Sequence, residues 1–178
     1  AERDQDRKQR LHEAALDLFG SAGYTAVSID RLCSAARVST RHFYQQFSTK
    51  EDLLADLYRA LTANALVDVA ASLERTQGET FAVRLPAAVG AYLGPLLADP
   101  RKARVAFVEI VGVSVAMEEL RLEFREAILS LVEAEAAAAV ERGEIEPGRD
   151  IRFRALALVG AANVIVHDWS VARRGSAA

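Results

Sequence analysis

The sequence is poor in several residue types that define other classes of protein. Its 178 residues include one cysteine, one tryptophan and four prolines. A single cysteine, Cys33, excludes a disulfide within this sequence and fits a reducing compartment such as the cytoplasm. Because cysteine is among the residue types most often buried, we expect Cys33 in the core rather than at a redox-sensing site.

Long hydrophobic runs are also missing. The longest, residues 155–166, contains Asn163 and is too short to cross a bilayer. The first residues are charged and polar, so we expect no signal peptide. These features predict a cytoplasmic protein without membrane contact.

Motifs that carry catalysis or bind metals are absent from the sequence. It has no glycine-rich phosphate loop, no cysteine and histidine spacing typical of a metal site, and no His-x-x-x-His or Glu-x-x-His pair on a helix. The three histidines, His12, His42 and His167, are scattered, and the adjacent Glu118 and Glu119 diverge around a helix. We therefore predict a protein that is not an enzyme and needs no cofactor or metal.

What the sequence does contain is helical periodicity. Apolar residues make up 51% and charged residues 26%, without the strand-like alternation of β-branched residues. Caps and stop signals divide the apolar positions into eight segments. We predict an all-α fold with helices at about residues 7–22, 29–36, 40–47, 50–76, 80–98, 100–115, 117–142 and 151–174. The fifth contains Pro86 and Pro95 and should be kinked.

A helix-turn-helix pattern lies between Ser28 and Leu54. Ser28 and Ser39 are suitable N-caps for two short helices, and Phe43 and Phe47 lie four residues apart on the inner face of the second. The outer face of that helix has no carboxylate and carries Thr40, Arg41, His42, Tyr44 and Gln45. Because these side chains can donate hydrogen bonds to phosphates and base edges, we predict a recognition helix for duplex DNA.

This segment resembles the DNA-binding domain of the TetR family of bacterial transcriptional regulators. The matching residues, within about residues 7–54, are Leu18-Phe19, Gly23-Tyr24, Val38-Ser39, Phe43-Tyr44, Phe47 and Lys50-Glu51. Arg37 stands where the family usually has glycine. The turn therefore holds an arginine at an awkward backbone angle or adopts a slightly different conformation. Arg41 stands where a small residue is common, so the base preference of relatives does not carry over.

Charge and resemblance together assign the DNA contacts. Residues 1–50 carry a net charge of +2 and the remainder −5, a modest asymmetry typical of a nucleic-acid-binding end. The resemblance implies phosphate contacts from Arg7 or Arg10 and from Ser28, His42, Tyr44 and Lys50. Base contacts are expected from Thr40, Arg41 and Gln45, with Arg41 able to pair bidentately with guanine. For Arg7 and Arg10, solvated surface side chains are the alternative.

The resemblance also implies two domains. Residues 1–48 would form the helix-turn-helix domain and residues 49–178 a helical effector-binding and dimerisation domain. Kinked helices pack imperfectly, so we expect a cavity in the second domain for a hydrophobic or amphipathic small-molecule effector. Its candidate lining residues are Tyr92, Phe107, Glu109, Met117, Phe124, Asn163, His167 and Trp169. Plain core is the alternative for the aromatic residues, and a satisfied buried polar pair for Asn163 and His167.

The last helix is apolar nearly all round, and Gly160, Ala161 and Ala162 allow another helix to approach it closely. In the TetR family the two C-terminal helices form a four-helix dimer interface, and the resemblance implies a homodimer here. Monomer core is the alternative. A dimer presents two recognition helices about one DNA turn (~34 Å) apart, which suits a palindrome.

We therefore predict a ligand-responsive transcriptional regulator that binds double-stranded operator DNA. By family habit it would be a repressor, released from a palindromic operator by a small hydrophobic effector. The alternative is a helical small-molecule-binding or interaction protein whose N-terminal helix-turn-helix segment does not bind DNA.

Overall fold

Helices form all the regular structure in residues 2–148 and 150–175, which the computed structural model describes. Side chains are described for residues 4–148 and 150–172. The helices are α1 (Glu2–Ala22), α2 (Ile29–Ala36), α3 (Thr40–Gln46), α4 (Lys50–Arg75), α5 (Phe81–Ala98), α6 (Pro100–Arg104), α7 (Val115–Glu141) and α8 (Ile151–Gly175). No strand occurs in these residues, which confirms the all-α prediction. Ala1, Arg149 and residues 176–178, which the predicted domains included, lie outside the described residues.

The helix boundaries depart from the prediction most clearly near residue 110. α6 is followed by a π-helical turn, Val105–Glu109, and the chain then leaves the helix at Gly112, whose φ is +72°. Ser114 caps α7 by accepting a hydrogen bond from the Met117 N–H at 3.2 Å. The predicted helix to residue 115 is therefore wrong, because a left-handed glycine ends one helix and a serine cap starts the next.

We call α1, α2 and α3 the head. Its core forms around the apolar inner face of α3. Phe43 is fully buried and Phe47 is 6% exposed, with ring centroids 5.8 Å apart. They belong to one core with the fully buried Leu11, Leu32 and Leu53. The two phenylalanines thus hold α3 against the neighbouring helices and leave its other face to solvent.

One hydrophobic core joins the head to the helices behind it. The buried cluster that contains Phe43 continues through Leu57, Phe107, Met117 and Val166. The predicted boundary after residue 48 therefore separates helices, while apolar packing continues across it. The division into two domains stays a prediction.

α5 and α8 leave much of their apolar surface uncovered in the single chain. Both are long and apolar enough to cross a bilayer by length and composition alone, criteria that core helices of soluble proteins also meet. Only 6% of α5 and 22% of residues 151–172 are buried. On α8, Phe153 is 71% exposed, Val164 60% and Ile165 66%. Contiguous apolar surface of this kind marks a protein or membrane contact.

The turn between α2 and α3 depends on Arg37. Its φ of 54° and ψ of 45° are left-handed, and no other non-glycine residue in the described part of the chain has a positive φ. Its N–H donates to the Ser34 carbonyl at 3.2 Å, and the Val38 N–H donates to the Cys33 carbonyl at 3.0 Å. The first alternative for this turn is confirmed, since arginine adopts an angle that glycine reaches without steric cost.

We expect Arg37→Gly to stabilise the protein. Removing the Cβ relieves a conformation that costs an L-residue about 1 kcal/mol, so the free energy of unfolding should rise by roughly 0.5–1 kcal/mol. Urea unfolding followed by circular dichroism measures the change. The matched control, Arg31→Gly at an exposed position inside α2, should instead lose about 1 kcal/mol. A destabilised Arg37→Gly would show that the arginine side chain contributes more than its backbone strain costs.

Candidate nucleic-acid interface and rear cavity

The solvent face of α3 carries the predicted base-contacting residues. Thr40, Arg41 and Gln45 are exposed, and Tyr44 is 56% exposed. α3 contains no acidic residue. None of these side chains is turned into the core, so the head presents a face able to donate hydrogen bonds to base edges and phosphates.

Ser39 fixes the start of this face. Its hydroxyl accepts a hydrogen bond from the His42 N–H at 3.2 Å and lies 2.9 Å from Nδ1 of the same histidine. The half-buried His42 is therefore held at the edge of the exposed face. Behind it, Cys33 is 4% exposed and burial raises the pKa of its thiol, as expected of a core cysteine.

Arg7 and Arg10, the predicted phosphate contacts of α1, each have an acidic neighbour one helical turn earlier. Arg7 Nη1 lies 3.0 Å from Asp4 Oδ1, and Arg10 Nε lies 3.3 Å from Asp6 Oδ2. Arg10 also donates to the carbonyl of Arg37 at 3.5 Å, which brings it beside the turn. Surface ion pairs contribute little, so phosphates can replace these carboxylates. The choice between the two arginines stays a prediction.

Lys50 has a structural role that sequence analysis missed. Its ammonium donates to the carbonyls of Tyr24 and Val27, both at 2.8 Å, and lies 4.2 Å from the centroid of the Tyr24 ring. Burial lowers the pKa of this ammonium. Lys50 thus holds the loop before α2 against the start of α4. The exposed Ser28, at the end of that loop, caps α2. Phosphate contacts at both residues stay predictions.

A cavity of about 370 Å³ lies among α4, α5, α7, α8 and the π-helical turn. Of the predicted lining residues it contains Tyr92, Phe107, Phe124, Asn163 and His167. Several other lining residues were not predicted from the sequence, among them Tyr58, Arg121 and Arg125. The spacing of the two arginines, four apart on one helix, is the signal that could have found them. The volume is within the usual range of ligand sites.

The cavity wall has an aromatic part and a cationic part. The ring of Tyr92 lies 6.5 Å from that of Phe107 and 6.0 Å from that of Phe124, centroid to centroid. Arg121 is held by an ion pair on its own helix. The Nε atom of Arg125 is buried and has no hydrogen-bond partner among the described residues. An unpaired buried donor of this kind suits an anionic or carbonyl group of a ligand.

Three predicted lining residues lie elsewhere. Glu109 accepts hydrogen bonds from Nε of Arg104 at 2.7 Å and from the N–H of Tyr24, in the loop after α1, at 2.6 Å. Met117 is 1% exposed in the main core, and Trp169 borders a separate open groove between α5 and α8. Glu109 misses the cavity because it is two positions beyond Phe107, and residues so spaced do not share a helix face.

Comparison with known proteins identifies the head. Residues 11–57 match the family model described as bacterial regulatory proteins, tetR family. Residues 11–57 thus form a helix-turn-helix head of the TetR type. The resemblance seen in the sequence is confirmed, and the chain is a DNA-binding transcriptional regulator with a helix-turn-helix head and a helical rear part.

Proteins similar to this chain match it along most of its length, and two solved structures share its fold. The fatty acid metabolism regulator protein of Bacillus subtilis (strain 168) is 19% identical over 160 residues, which cover 90% of this chain and 81% of that protein. The structure of FadR from Bacillus subtilis in complex with stearoyl-CoA has a TM-score of 0.84 at 19% identity, covering 93% of this chain and 88% of that one. The fatty acid degradation regulator FadR from Bacillus halodurans has a TM-score of 0.85 at 19% identity, covering 94% and 86%.

We expect Arg41 to contact a base of the operator. Arg41→Ala should cost about 1–3 kcal/mol at one operator position and relax specificity there, because a bidentate contact to guanine is lost. Operator selection from a randomised duplex library, followed by fluorescence anisotropy with single-base variants, measures the loss.

The matched control is Arg41→Lys, which keeps the positive charge but removes the planar guanidinium group that can make two hydrogen bonds to guanine. It should show the same relaxed specificity with a nearly unchanged dependence on salt. A uniform loss of affinity over all sequences in Arg41→Ala would make this arginine a phosphate contact.

Proposed function

We propose that the chain is a homodimeric repressor that binds a palindromic operator and is released from it by a long-chain acyl-CoA. The names of two relatives support this effector class, a fatty acid metabolism regulator and FadR in complex with stearoyl-CoA. The observation that carries the proposal is a largely apolar cavity with the unpaired guanidinium nitrogen of Arg125 in its wall.

An acyl thioester needs apolar space for its chain and polar groups for its head. Leu96 and Phe124 are among the apolar lining residues, and each methylene buried against them contributes about 0.8 kcal/mol. Arg121 and Arg125 supply positive charge for phosphate groups, to which hydrogen bonds are strong. Burial raises the pKa of the Tyr58 hydroxyl to about 12, so this lining residue is a neutral donor for the thioester carbonyl.

The π-helical turn links the cavity to the head. Phe107 lines the cavity, and two residues later Glu109 accepts a hydrogen bond from the Tyr24 N–H at 2.6 Å. Arg104 pairs with Glu109 and donates to the Ser21 carbonyl at 3.2 Å. A ligand that displaces Phe107 would move the groups that hold the end of α1. The two heads of a dimer would then no longer match the operator spacing, and affinity would fall.

Stearoyl-CoA should weaken operator binding, and Glu109→Gln should reduce that effect. We expect saturating stearoyl-CoA to lower operator affinity by about 5–150-fold, the usual range of coupling between two sites. Glu109→Gln keeps an acceptor for the Tyr24 N–H and removes the charge that faces Arg104. It should therefore bind stearoyl-CoA as the wild type does and respond less in DNA binding. Isothermal titration calorimetry measures the first property, and anisotropy of a labelled operator measures the second.

Free coenzyme A is the matched ligand control, because it lacks the hydrocarbon chain and should leave the operator bound. Circular dichroism establishes that Glu109→Gln is folded at the temperature used. Failure of every acyl thioester to release the operator would refute the proposed effector. An undiminished response in folded Glu109→Gln would refute the proposed path to the head.

The homodimer is proposed to form through α7 and α8, the two C-terminal helices. α8 exposes Phe153, Val164 and Ile165, and a Cβ at Gly160 would meet no described atom within 4 Å. A stable homodimer interface resembles a protein core cut in half, so it needs apolar, closely approaching surfaces of this kind. A two-fold axis brings the same face of both copies together.

Val164→Arg should dissociate the dimer. The substitution would bury an unpaired cation from each copy at the interface, so we expect the dimer to weaken by at least about 2 kcal/mol, roughly 30-fold. Analytical ultracentrifugation measures the change. Val67→Arg is the matched control, since Val67 lies on α4 and is 67% exposed. A Val164→Arg protein as dimeric as the control would place the interface elsewhere.

A further inference from the structure

We infer that Tyr92 sets the length of the acyl chain that the cavity accepts. The inference rests on the acyl-CoA effector proposed above. A second cavity of about 50 Å³ adjoins the first, among α4, α5, α7 and α8. Tyr92, Ile128 and Val159 line both cavities, and Tyr92 is by far the largest of the three side chains.

The ring of Tyr92 is held by packing and not by hydrogen bonds. It lies edge-on to Phe107 and tilted against Phe124. Burial raises the pKa of its hydroxyl, and this hydroxyl makes no hydrogen bond to any described residue. Shortening the side chain therefore removes a wall between two spaces without breaking a polar contact.

The second cavity is suited to hydrocarbon. Its wall is apolar apart from one residue, and includes Val69, Leu85, Leu131 and Ala162. An acyl chain that passes the position of the Tyr92 ring would gain further apolar contact there. Each additional buried methylene should tighten binding about fourfold.

A satisfied ion pair limits the second cavity. Its one charged lining residue, Glu135, accepts two hydrogen bonds from Arg84, both at 2.8 Å. Arg84 also donates to the carbonyls of Leu73 at 3.0 Å and Thr76 at 2.8 Å, which end α4. Hydrocarbon cannot extend through these groups without leaving buried charges unpaired. Removing the Tyr92 ring should therefore increase the accepted chain length only as far as this ion pair allows.

The test compares a saturated acyl-CoA series, from octanoyl to behenoyl, on the full-length wild type and on Tyr92→Leu and Tyr92→Ala. Isothermal titration calorimetry measures binding and labelled-operator anisotropy measures release. We expect the preferred chain to become longer in both variants. In the variants the two cavities are joined. An acyl chain that places two more methylenes there should bind the variant about 15-fold more tightly than it binds the wild type. Two variants are used because the larger cavity of Tyr92→Ala costs more stability.

Two further variants control for general loosening of the bundle. Tyr92→Phe keeps the ring and should keep the wild-type preference for chain length. Ala88→Leu, added to Tyr92→Leu, refills the second cavity that Ala88 lines and should restore the preference for shorter chains. A variant that merely destabilised the fold would weaken all chain lengths alike.

The outcomes separate this inference from the proposed function. A wild type that binds no acyl-CoA of any length would overturn the effector class and the inference with it. A wild type that binds acyl-CoA, with Tyr92→Leu and Tyr92→Ala keeping its preferred length, would overturn only the role of Tyr92. A shift in Tyr92→Phe as large as in Tyr92→Leu would also overturn that role, since the ring would then not be the limit.

Discussion

The ion pair of Arg104 and Glu109 joins the head to the helices behind it. Their side chains are 10% and 12% exposed, and the carboxylate also accepts a hydrogen bond from the backbone of Tyr24. Next to this pair the helices nearly touch, since a Cβ at Gly20 would lie 2.6 Å from the Cβ of Arg101. Loss of either charge would leave the other buried and unpaired. The head and the π-helical turn are therefore held in one arrangement, which supports the proposed path from the cavity to the head.

The cavities follow from the poor packing of α5. Proline cannot donate the hydrogen bond that a helix interior requires, and α5 contains both Pro86 and Pro95. Leu96 is the one residue of this fully described helix that is buried. An apolar helix that leaves so much of its surface unfilled creates space beside it, and Tyr92 of α5 borders both cavities discussed above. The proposed ligand binding thus depends on a helix that a tightly packed core would exclude.

Capping residues and helical periodicity in the sequence predicted the structure of the head well. Serine caps, the spacing of Phe43 and Phe47, and the polar outer face of α3 act over one or two helical turns, so neighbouring residues are sufficient to identify them. For Arg37 the sequence left two alternatives open, and the structure shows the left-handed one, in which an arginine adopts the angle that glycine reaches without steric cost. The carbonyl partners of Lys50 were not foreseen, since they come from a loop more than twenty residues away.

The sequence by itself determined the all-α class, the caps of α2 and α3 and which side of α3 faces solvent, because periodicity and capping are properties of adjacent residues. Only the tertiary structure decided which side chains line the cavity. Glu109 pairs with Arg104, whereas Arg125 lies in the cavity wall with an Nε atom that has no hydrogen-bond partner among the described residues. The physical reason is that a lining residue is selected by how distant helices are rotated against one another. That rotation depends on contacts among all the packed helices and is not encoded in any single segment.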